Sequence, residues 1–330
     1  MSEDNKGSGV QKVLVTEDDN GARIDRWFKR HFPQITFGKL QKMMRKGDVR
    51  LNGKRVKGKE IVEVGMEVRV PPINGELKEK PREDTYHMTK AEIAEVQSWV
   101  IHMDKHVIVI NKPAGLATQG GTGITKHLDG MLDALTYEKE NKPKLVHRLD
   151  KDTSGAMLLA RSANAAGILA KSFQSRETDK RYWAVVIGTP NPKEGRIALK
   201  MDRVSNKSGE RMVVTDDGKK SLTDYEVVDA ALHTASWLTL KPHTGRKHQL
   251  RLHCAEIGHP IVGDSKYGGP ESYLSGNISR KMHLHSHFID FPHPDGGRMK
   301  VVAPLNEHMA ATFDTLGFDP REYVDPFQED

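Results

Sequence analysis

The chain has 330 residues, enough for two domains, and carries a formal net charge of +6 with a pI near 9.1. Its single cysteine, Cys254, excludes an internal disulfide and a cysteine-rich zinc site, and we expect a buried thiol. No apolar run approaches the roughly 18 residues of a membrane span, and the first ten residues lack the apolar core of a signal peptide. These features predict a soluble, cytoplasmic protein that makes no membrane contact.

The positive charge is concentrated near the amino terminus. Between Ala22 and Val70 the sequence holds 14 Lys and Arg against 5 Asp and Glu, whereas the rest of the chain sums to −3. A small cationic module attached to a larger, nearly neutral one favours binding to a polyanion. The alternative is an ordinary solvated helix surface.

The pattern of this cationic module predicts two helices and a small sheet. Ile24, Trp27 and Phe28 have helical spacing within 23–31, and Thr36 is a suitable N-cap for a second helix. The pair Asn52-Gly53 predicts a tight hairpin. The cations expected to contact phosphates without reading sequence are Lys39, Lys42, Arg45, Lys46, Arg50, Lys54 and Arg55.

Composition divides the chain into four segments. We expect a disordered tail over 1–20, the cationic module over 21–72, and a charged linker over 73–98 with a short helix near 90–96. A larger α+β domain would then occupy 99–330. Strands are predicted at 106–110, 156–160, 180–188, 222–228 and 236–240, with helices at 162–173 and 307–316 and a charged, loop-like stretch over 190–220.

The stretch His-Arg-Leu-Asp-Lys-Asp-Thr-Ser-Gly, residues 147–155, runs directly into the predicted strand at 156–160. Asp150 is flanked by Arg148 and Lys151, and neighbouring cations keep an aspartate ionised. An ionised aspartate among cations suits a nucleophile that meets a polyanionic substrate. The alternative is a solvated turn with a surface ion pair.

This stretch resembles the signature of the RluA-type family of pseudouridine synthases. The segment TGRKHQLRLH, residues 244–253, resembles the family's second signature, and GDVRLNGKRV, residues 47–56, resembles part of an S4 RNA-binding domain. The resemblance implies a mixed, mostly antiparallel split sheet with a central cleft, and no cofactor. It also implies that Asp150 is catalytic, Arg251 pairs with it and Tyr182 packs against the target base, while Arg246 lies near the RNA and Arg148 helps to displace the target nucleotide.

The sequence of these segments is most similar to the RluC type of the family. That similarity implies isomerisation of specific uridines in 23S (large-subunit) ribosomal RNA and contact with ribosome-assembly intermediates. Two alternatives stay open. A non-catalytic RNA-binding assembly factor would keep the basic module, and a glycoside hydrolase would need a second carboxylate, for which Asp152 is the candidate. His283, His285 and His287 would share one face of a strand, but the family uses no metal, so we predict no metal site.

Overall fold

The computed structural model describes residues 9–73, 88–121, 123–206 and 209–328. Over these ranges, no helix is both long and apolar enough to cross a membrane. The amino-terminal part combines two helices with a four-stranded sheet in the order β1-β4-β2-β3. Its elements are β1 (Gln11–Leu14), α1 (Ile24–His31), α2 (Phe37–Lys46), β2 (Arg50–Leu51), β3 (Lys54–Arg55) and β4 (Glu67–Val70).

The two predicted helices and the hairpin of this part are confirmed. The apolar face of α1 is completely buried, and the Thr36 hydroxyl accepts a hydrogen bond from the Lys39 N–H at the start of α2. Asn52 and Gly53 have φ of 46° and 76°, the left-handed pair that a two-residue hairpin requires.

The structure corrects the predicted tail. β1 pairs antiparallel with β4, so a tail over 1–20 is wrong from residue 11 onward, and 1–8 lie outside the described residues. Side chains in β1 are mostly exposed, and main-chain pairing holds the strand, which apolar patterning does not reveal.

The predicted linker also differs from the structure. Helix α3 (Lys90–Ser98) lies where a short helix was predicted, and it begins with a capping box between Thr89 and Glu92. Its Val96 is fully buried in the core of the larger domain, so residues 90–98 belong to that domain. Residues 74–87 of the predicted linker lie outside the described residues.

The larger domain is built on an eleven-stranded sheet. Nine strands follow the order β11-β10-β12-β13-β9-β14-β8-β6-β5, with β15 beside β14 and β7 beside β8. The strands are β5 (Val100–Met103), β6 (Val107–Lys112), β7 (Lys144–Leu145), β8 (Ser154–Ala160), β9 (Asp179–Ile187), β10 (Glu194–Asn206), β11 (Gly209–Val214), β12 (Lys219–Ala231), β13 (Ala235–Pro242), β14 (Leu284–Pro292) and β15 (Arg298–Val302). Its further helices are α4 (Leu128–Met131), α5 (Ala163–Ser175), α6 (Gln249–Glu256) and α7 (Glu307–Leu316).

A short parallel junction joins the two halves of this sheet. Among the strands described, only β14 and β8 pair in parallel, through His285 with Ser154 and Ser286 with Gly155. Gly155 has φ of 106°, and a Cβ there would collide with the Ser286 backbone, so only glycine permits this approach. The α+β class and the mixed, mostly antiparallel sheet predicted from the family resemblance are confirmed.

The loop-like stretch predicted over 190–220 is wrong. Strands β10 and β11 form a long antiparallel hairpin there, and β10 continues its pairing with β12. Much of the hairpin is solvent-exposed, and exposed pairs such as Arg203 with Glu210 replace apolar neighbours. A strand without a buried face lacks the alternation that predicts strands from sequence.

Candidate active site

Asp150 lies in the loop between β7 and β8, and main-chain contacts fix this loop. The Leu158 N–H donates to Nε2 of His147 at 2.9 Å, so β8 holds the beginning of the loop. The Thr118 hydroxyl donates to the Leu149 carbonyl at 2.6 Å. On the other side, the Gly115 N–H donates to the Lys151 carbonyl at 2.9 Å, so the backbone is anchored both before and after Asp150, as a residue in a reacting position requires.

Lys112, at the end of β6, contacts the same loop through the Lys151 carbonyl. Its side chain is completely buried, and Nζ donates to the carbonyls of Pro113, Leu116 and Lys151 at 2.9, 2.8 and 3.1 Å. Burial lowers the pKa of Lys112 to about 7, although neighbouring carboxylates oppose this effect. Three carbonyl acceptors match the three N–H donors of an ammonium group, so this arrangement favours the charged form.

Tyr182 comes from the other half of the sheet. It lies on β9 between Leu240 of β13 and Ser286 of β14, half-buried, and it contacts the apolar cores of both halves. Burial raises the pKa of Tyr182 to about 12; a hydrogen bond with Ser286 opposes the shift, and the Asp150 charge adds to it. The phenol is therefore neutral at pH 7.

Arg251 does not form the expected ion pair with Asp150. On helix α6 its Nε and one terminal nitrogen donate to the two carboxylate oxygens of Asp264 at 2.7 and 2.6 Å. Burial lowers the Arg251 pKa, but the Asp264 contacts outweigh it and the pKa rises; the Asp150 charge contributes, which places Asp150 nearby. Among the described residues no ion pair joins Arg251 to Asp150; the guanidinium is directed at Asp264, to which it gives two of its five N–H groups.

Asp150, Tyr182 and Arg251 nevertheless line one cavity, of about 600 Å³, between the two halves of the sheet. Pockets for small ligands occupy roughly 300–1,000 Å³. Asp150 is the one carboxylate among the described residues that line this cavity, so a hydrolase that needs two carboxylates has no support here. The cavity is otherwise cationic, lined by Arg148, Arg176, Lys180, Arg246, Lys247 and Arg251.

Comparison with known proteins identifies the family. The profile of the RNA pseudouridylate synthase family matches residues 106–256, and that of the S4 domain matches residues 22–68. RNA pseudouridine synthase 4, a mitochondrial protein of Arabidopsis thaliana, is 33% identical, with 94% of this chain and 84% of the plant protein aligned. Ribosomal large subunit pseudouridine synthase C of Vibrio vulnificus is 33% identical over 93% of this chain and 96% of its own. The chain belongs to the pseudouridine synthase family.

A solved structure agrees with this assignment at the level of the fold. Human RNA pseudouridylate synthase domain containing 4 superposes with a TM-score of 0.58 and 24% sequence identity. The match covers 69% of this chain and 96% of the human chain. The large sheet with its cleft is therefore the pseudouridine synthase fold.

Two of the predicted RNA-binding arginines lie at the mouth of the synthase cavity. Arg148 and Arg246 are both exposed there, and the Arg246 side chain donates to the Lys220 carbonyl at 3.4 Å. Arg176 and Lys180 line the same cavity but were not predicted. Arg176 follows the end of α5 and Lys180 lies at the beginning of β9, and no motif distinguished either from other surface cations.

The predicted cations of the S4 domain form one exposed surface on α2 and the β2–β3 hairpin. The guanidinium groups of Arg50 and Arg55 donate to main-chain carbonyls, which fixes their orientation. None of the seven is ion-paired with a carboxylate of the described residues, whereas Lys12, Arg23 and Arg30 of the same domain are paired. We call this surface the S4 cationic face; it comprises Lys39, Lys42, Arg45, Lys46, Arg50, Lys54 and Arg55.

His283, just before β14, and His285, within it, are engaged in the protein interior. His283 contacts the Thr312 hydroxyl at 2.8 Å, and His285 contacts the Ser154 hydroxyl at 2.9 Å. Burial lowers the pKa of each to about 4. Within the described ranges, no group of three or more His, Cys, Asp or Glu side chains could hold a metal ion.

The structure adds two residues to the site that sequence reasoning left without a role, Lys112 and His248, and it gives Asp264 a buried partner in Arg251. The position of Lys112 could have indicated its role, because it ends the apolar run Val107–Lys112 just before a proline. A lysine buried in such a position requires several hydrogen-bond acceptors. Asp264 offered a weaker signal, since an acidic residue in a glycine-containing loop is common. His248 lies within the second family signature but was not given a role.

Proposed function

We propose that the protein isomerises specific uridines of 23S (large-subunit) ribosomal RNA to pseudouridine. The observation that carries the proposal is a single carboxylate, Asp150, in a cationic cavity beside Tyr182. The ribosomal large-subunit activity in the name of the Vibrio relative supports the choice of RNA. Ribosome-assembly intermediates are the proposed form of the substrate, and the cytoplasm is the proposed compartment.

The chemistry requires one bond to break and one to form. The N1–C1′ bond of uridine is cleaved, the uracil turns, and a C5–C1′ bond forms; C5 loses its proton and N1 gains one. Asp150 would act by attack on C1′ or on the uracil ring, or by removing the C2′ proton, and each route needs only one carboxylate. None of these reaction steps requires an electron carrier or an energy source.

The cavity would hold the detached uracil while it turns. Leu149, Leu250 and Leu284 form an apolar part of its wall, and such a wall excludes water from a reactive intermediate. Tyr182 would pack against the base as a neutral phenol. Because its pKa is about 12, Tyr182 at neutral pH would contribute contact and hydrogen bonding rather than a standing negative charge.

Access of a paired uridine to this cavity requires base flipping. Removing a nucleotide from the stack costs a few kcal/mol, and a side chain that fills the gap offsets part of this cost. Arg148 is exposed at the cavity mouth, two residues from Asp150, so it is our candidate for that insertion. The S4 cationic face would hold the surrounding RNA through its phosphates.

The proposal is tested with the Asp150→Asn variant and an unmodified 23S RNA transcript that carries tritium at C5 of uridine. The variant should reduce tritium release by at least about a thousandfold, because the amide can neither attack carbon nor accept a proton. Its affinity for the transcript should stay within about twofold of wild type, since phosphate contacts dominate affinity.

Mapping of pseudouridine in the reacted transcript locates the modified positions. Asp152→Asn is the matched control, because Asp152 is two residues away and does not line the cavity. Undiminished turnover by the Asp150 variant would exclude it as the catalytic residue. Turnover on other RNAs but not on 23S RNA would exclude the proposed substrate.

A further inference from the structure

His248 precedes helix α6 in an unusual backbone conformation and faces Asp150. Its φ of 53° is in the left-handed region, which a histidine rarely adopts, and this conformation directs the imidazole into the cavity. Nε2 lies 3.9 Å from Oδ1 of Asp150. Within the part of the chain that the structure describes, no other basic side chain is within 4.0 Å of that carboxylate.

A chain of hydrogen bonds fixes which nitrogen of His248 carries the proton. The Met212 N–H donates to the Tyr267 phenol oxygen at 3.2 Å, and the same oxygen lies 2.9 Å from Nδ1 of His248. Among the described residues, Nδ1 of His248 is the one acceptor within reach of the phenol hydrogen, so we assign that hydrogen to Nδ1. A neutral imidazole then carries its hydrogen on Nε2, the atom that faces Asp150.

The surroundings keep this imidazole neutral. Burial lowers the pKa of His248 to about 4, and the charges of Arg251, Lys247 and Lys266 act in the same direction, while Asp150 opposes them. The side chain is 11% exposed. At neutral pH His248 can therefore donate one hydrogen bond without bringing a second positive charge beside the carboxylate.

We propose that His248 is a positioning residue for the reaction: its Nε2–H donates to Asp150 when the nucleotide is bound and holds one carboxylate oxygen while the other meets the substrate. Arg251 is directed at Asp264, with which it forms two hydrogen bonds, and it does not lie within 4.0 Å of Asp150. Closing the gap from 3.9 Å to an ordinary hydrogen bond requires a movement of about 1 Å. The proposal rests on the catalytic role of Asp150.

Two substitutions of similar size distinguish loss of the hydrogen-bond donor at Nε2 from a general effect on folding. In His248→Gln the amide nitrogen reaches the place of Nε2, whereas in His248→Asn it reaches only the place of Nδ1. Asparagine tolerates the left-handed backbone better than glutamine, so conformational strain alone would favour the asparagine variant. The donor hypothesis predicts the opposite order of activity.

The rates are measured in single turnovers as tritium release from the 23S transcript, with melting temperature as a check on folding. His248→Asn should be slower than wild type by about tenfold or more, and His248→Gln should remain within about threefold. Tyr267→Phe, which removes the hydroxyl that selects the tautomer, should be slower by about threefold. Equal rates for the asparagine variant and wild type, or equal losses in both His248 variants, would overturn the proposal.

A second measurement does not depend on RNA turnover. Nitrogen NMR of the full-length protein with labelled histidines should show the His248 signal, identified by its absence in His248→Asn, as the Nε2–H tautomer. Asp150→Asn should shift that signal. The Nδ1–H tautomer, or a signal indifferent to Asp150, would overturn the proposal even if the transcript is not a substrate. Failure of the 23S assignment alone would leave this tautomer result standing.

Discussion

Arg251 and Asp264 form a buried bidentate ion pair at the edge of the cavity. The Asp264 carboxylate also accepts hydrogen bonds from the backbone N–H groups of Lys266 and Tyr267. One aspartate therefore orients the arginine and the loop that carries Tyr267. The Asp150 charge contributes to the raised pKa of Arg251, but the two side chains do not form an ion pair within 4.0 Å.

Substitutions in the Arg251–Asp264 pair can distinguish an effect on stability from an effect on turnover. Asp264→Asn should lower the free energy of unfolding by about 3 kcal/mol, because Arg251 then becomes a buried charge without a counter-ion. The double variant Arg251→Met with Asp264→Leu should recover most of that loss, since apolar pairs of similar volume replace buried ion pairs well. Denaturant unfolding and tritium release check both. Recovered stability together with wild-type turnover would show that Arg251 has no part in the reaction.

At the scale of elements, the S4 cationic face follows from the geometry of α2 and the β2–β3 hairpin. Helix α2 buries Leu40 and Met44 and turns its cations outward, and the Asn52-Gly53 turn adds the hairpin cations to the same surface. Cations held away from carboxylates remain available for phosphate. Binding through this face should therefore depend strongly on salt.

Neutralising part of this face tests its role in RNA binding. Lys42→Gln, Arg45→Gln and Lys46→Gln together should weaken binding of the 23S transcript and reduce the slope of log affinity against log salt by about 2, since each phosphate contact contributes roughly 0.7–0.9. Filter binding across a salt series measures the slope. The control makes the same charge change at three exposed lysines of the larger domain, Lys193, Lys281 and Lys300. Equal slopes for the two triple variants would contradict the assignment.

Most elements with one buried face could be predicted from their apolar pattern, whereas the exposed β2–β3 hairpin was predicted only from its Asn52-Gly53 turn. Ile24, Trp27 and Phe28 mark α1 because burial and helical period coincide. The β10–β11 hairpin escaped prediction because solvent covers much of it. Within the site, sequence motifs selected Asp150, Tyr182 and Arg251, and the three residues line one cavity. The partner of Arg251 could not be predicted, because it depends on the path of the Asp264 loop, which spacing along the chain does not encode.

For the whole molecule, buried histidines couple the fold to pH. His253, His283 and His285 are completely buried, and burial lowers the pKa of each to about 4, below the value of about 6.5 expected in the unfolded chain. Between these values the unfolded state binds more protons. The stability these neutral histidines provide is therefore complete above about pH 6.5 and decreases as the pH falls towards 4.

Urea unfolding between pH 7.5 and pH 5 measures this coupling. The free energy of unfolding should decrease on acidification, by about 2 kcal/mol for each fully buried histidine at pH 5. His253→Gln should make the dependence on pH shallower, because one titrating group is removed from the interior. His233→Gln, at an exposed position, is the control and should leave the slope as in wild type. A flat profile for the wild-type protein would contradict the coupling.

The two-residue parallel junction between β8 and β14 also bears on protein synthesis. Ser154 and His285, which meet at that junction, are 131 residues apart along the chain. Closing so long a loop is slow compared with forming a hairpin or a helix. A nascent chain thus contains the Asp150 loop well before β14 has been translated, and during that interval the cavity lacks Leu284, the wall residue that β14 supplies. We therefore expect the complete cavity to form only after residues 284–292 have been synthesised.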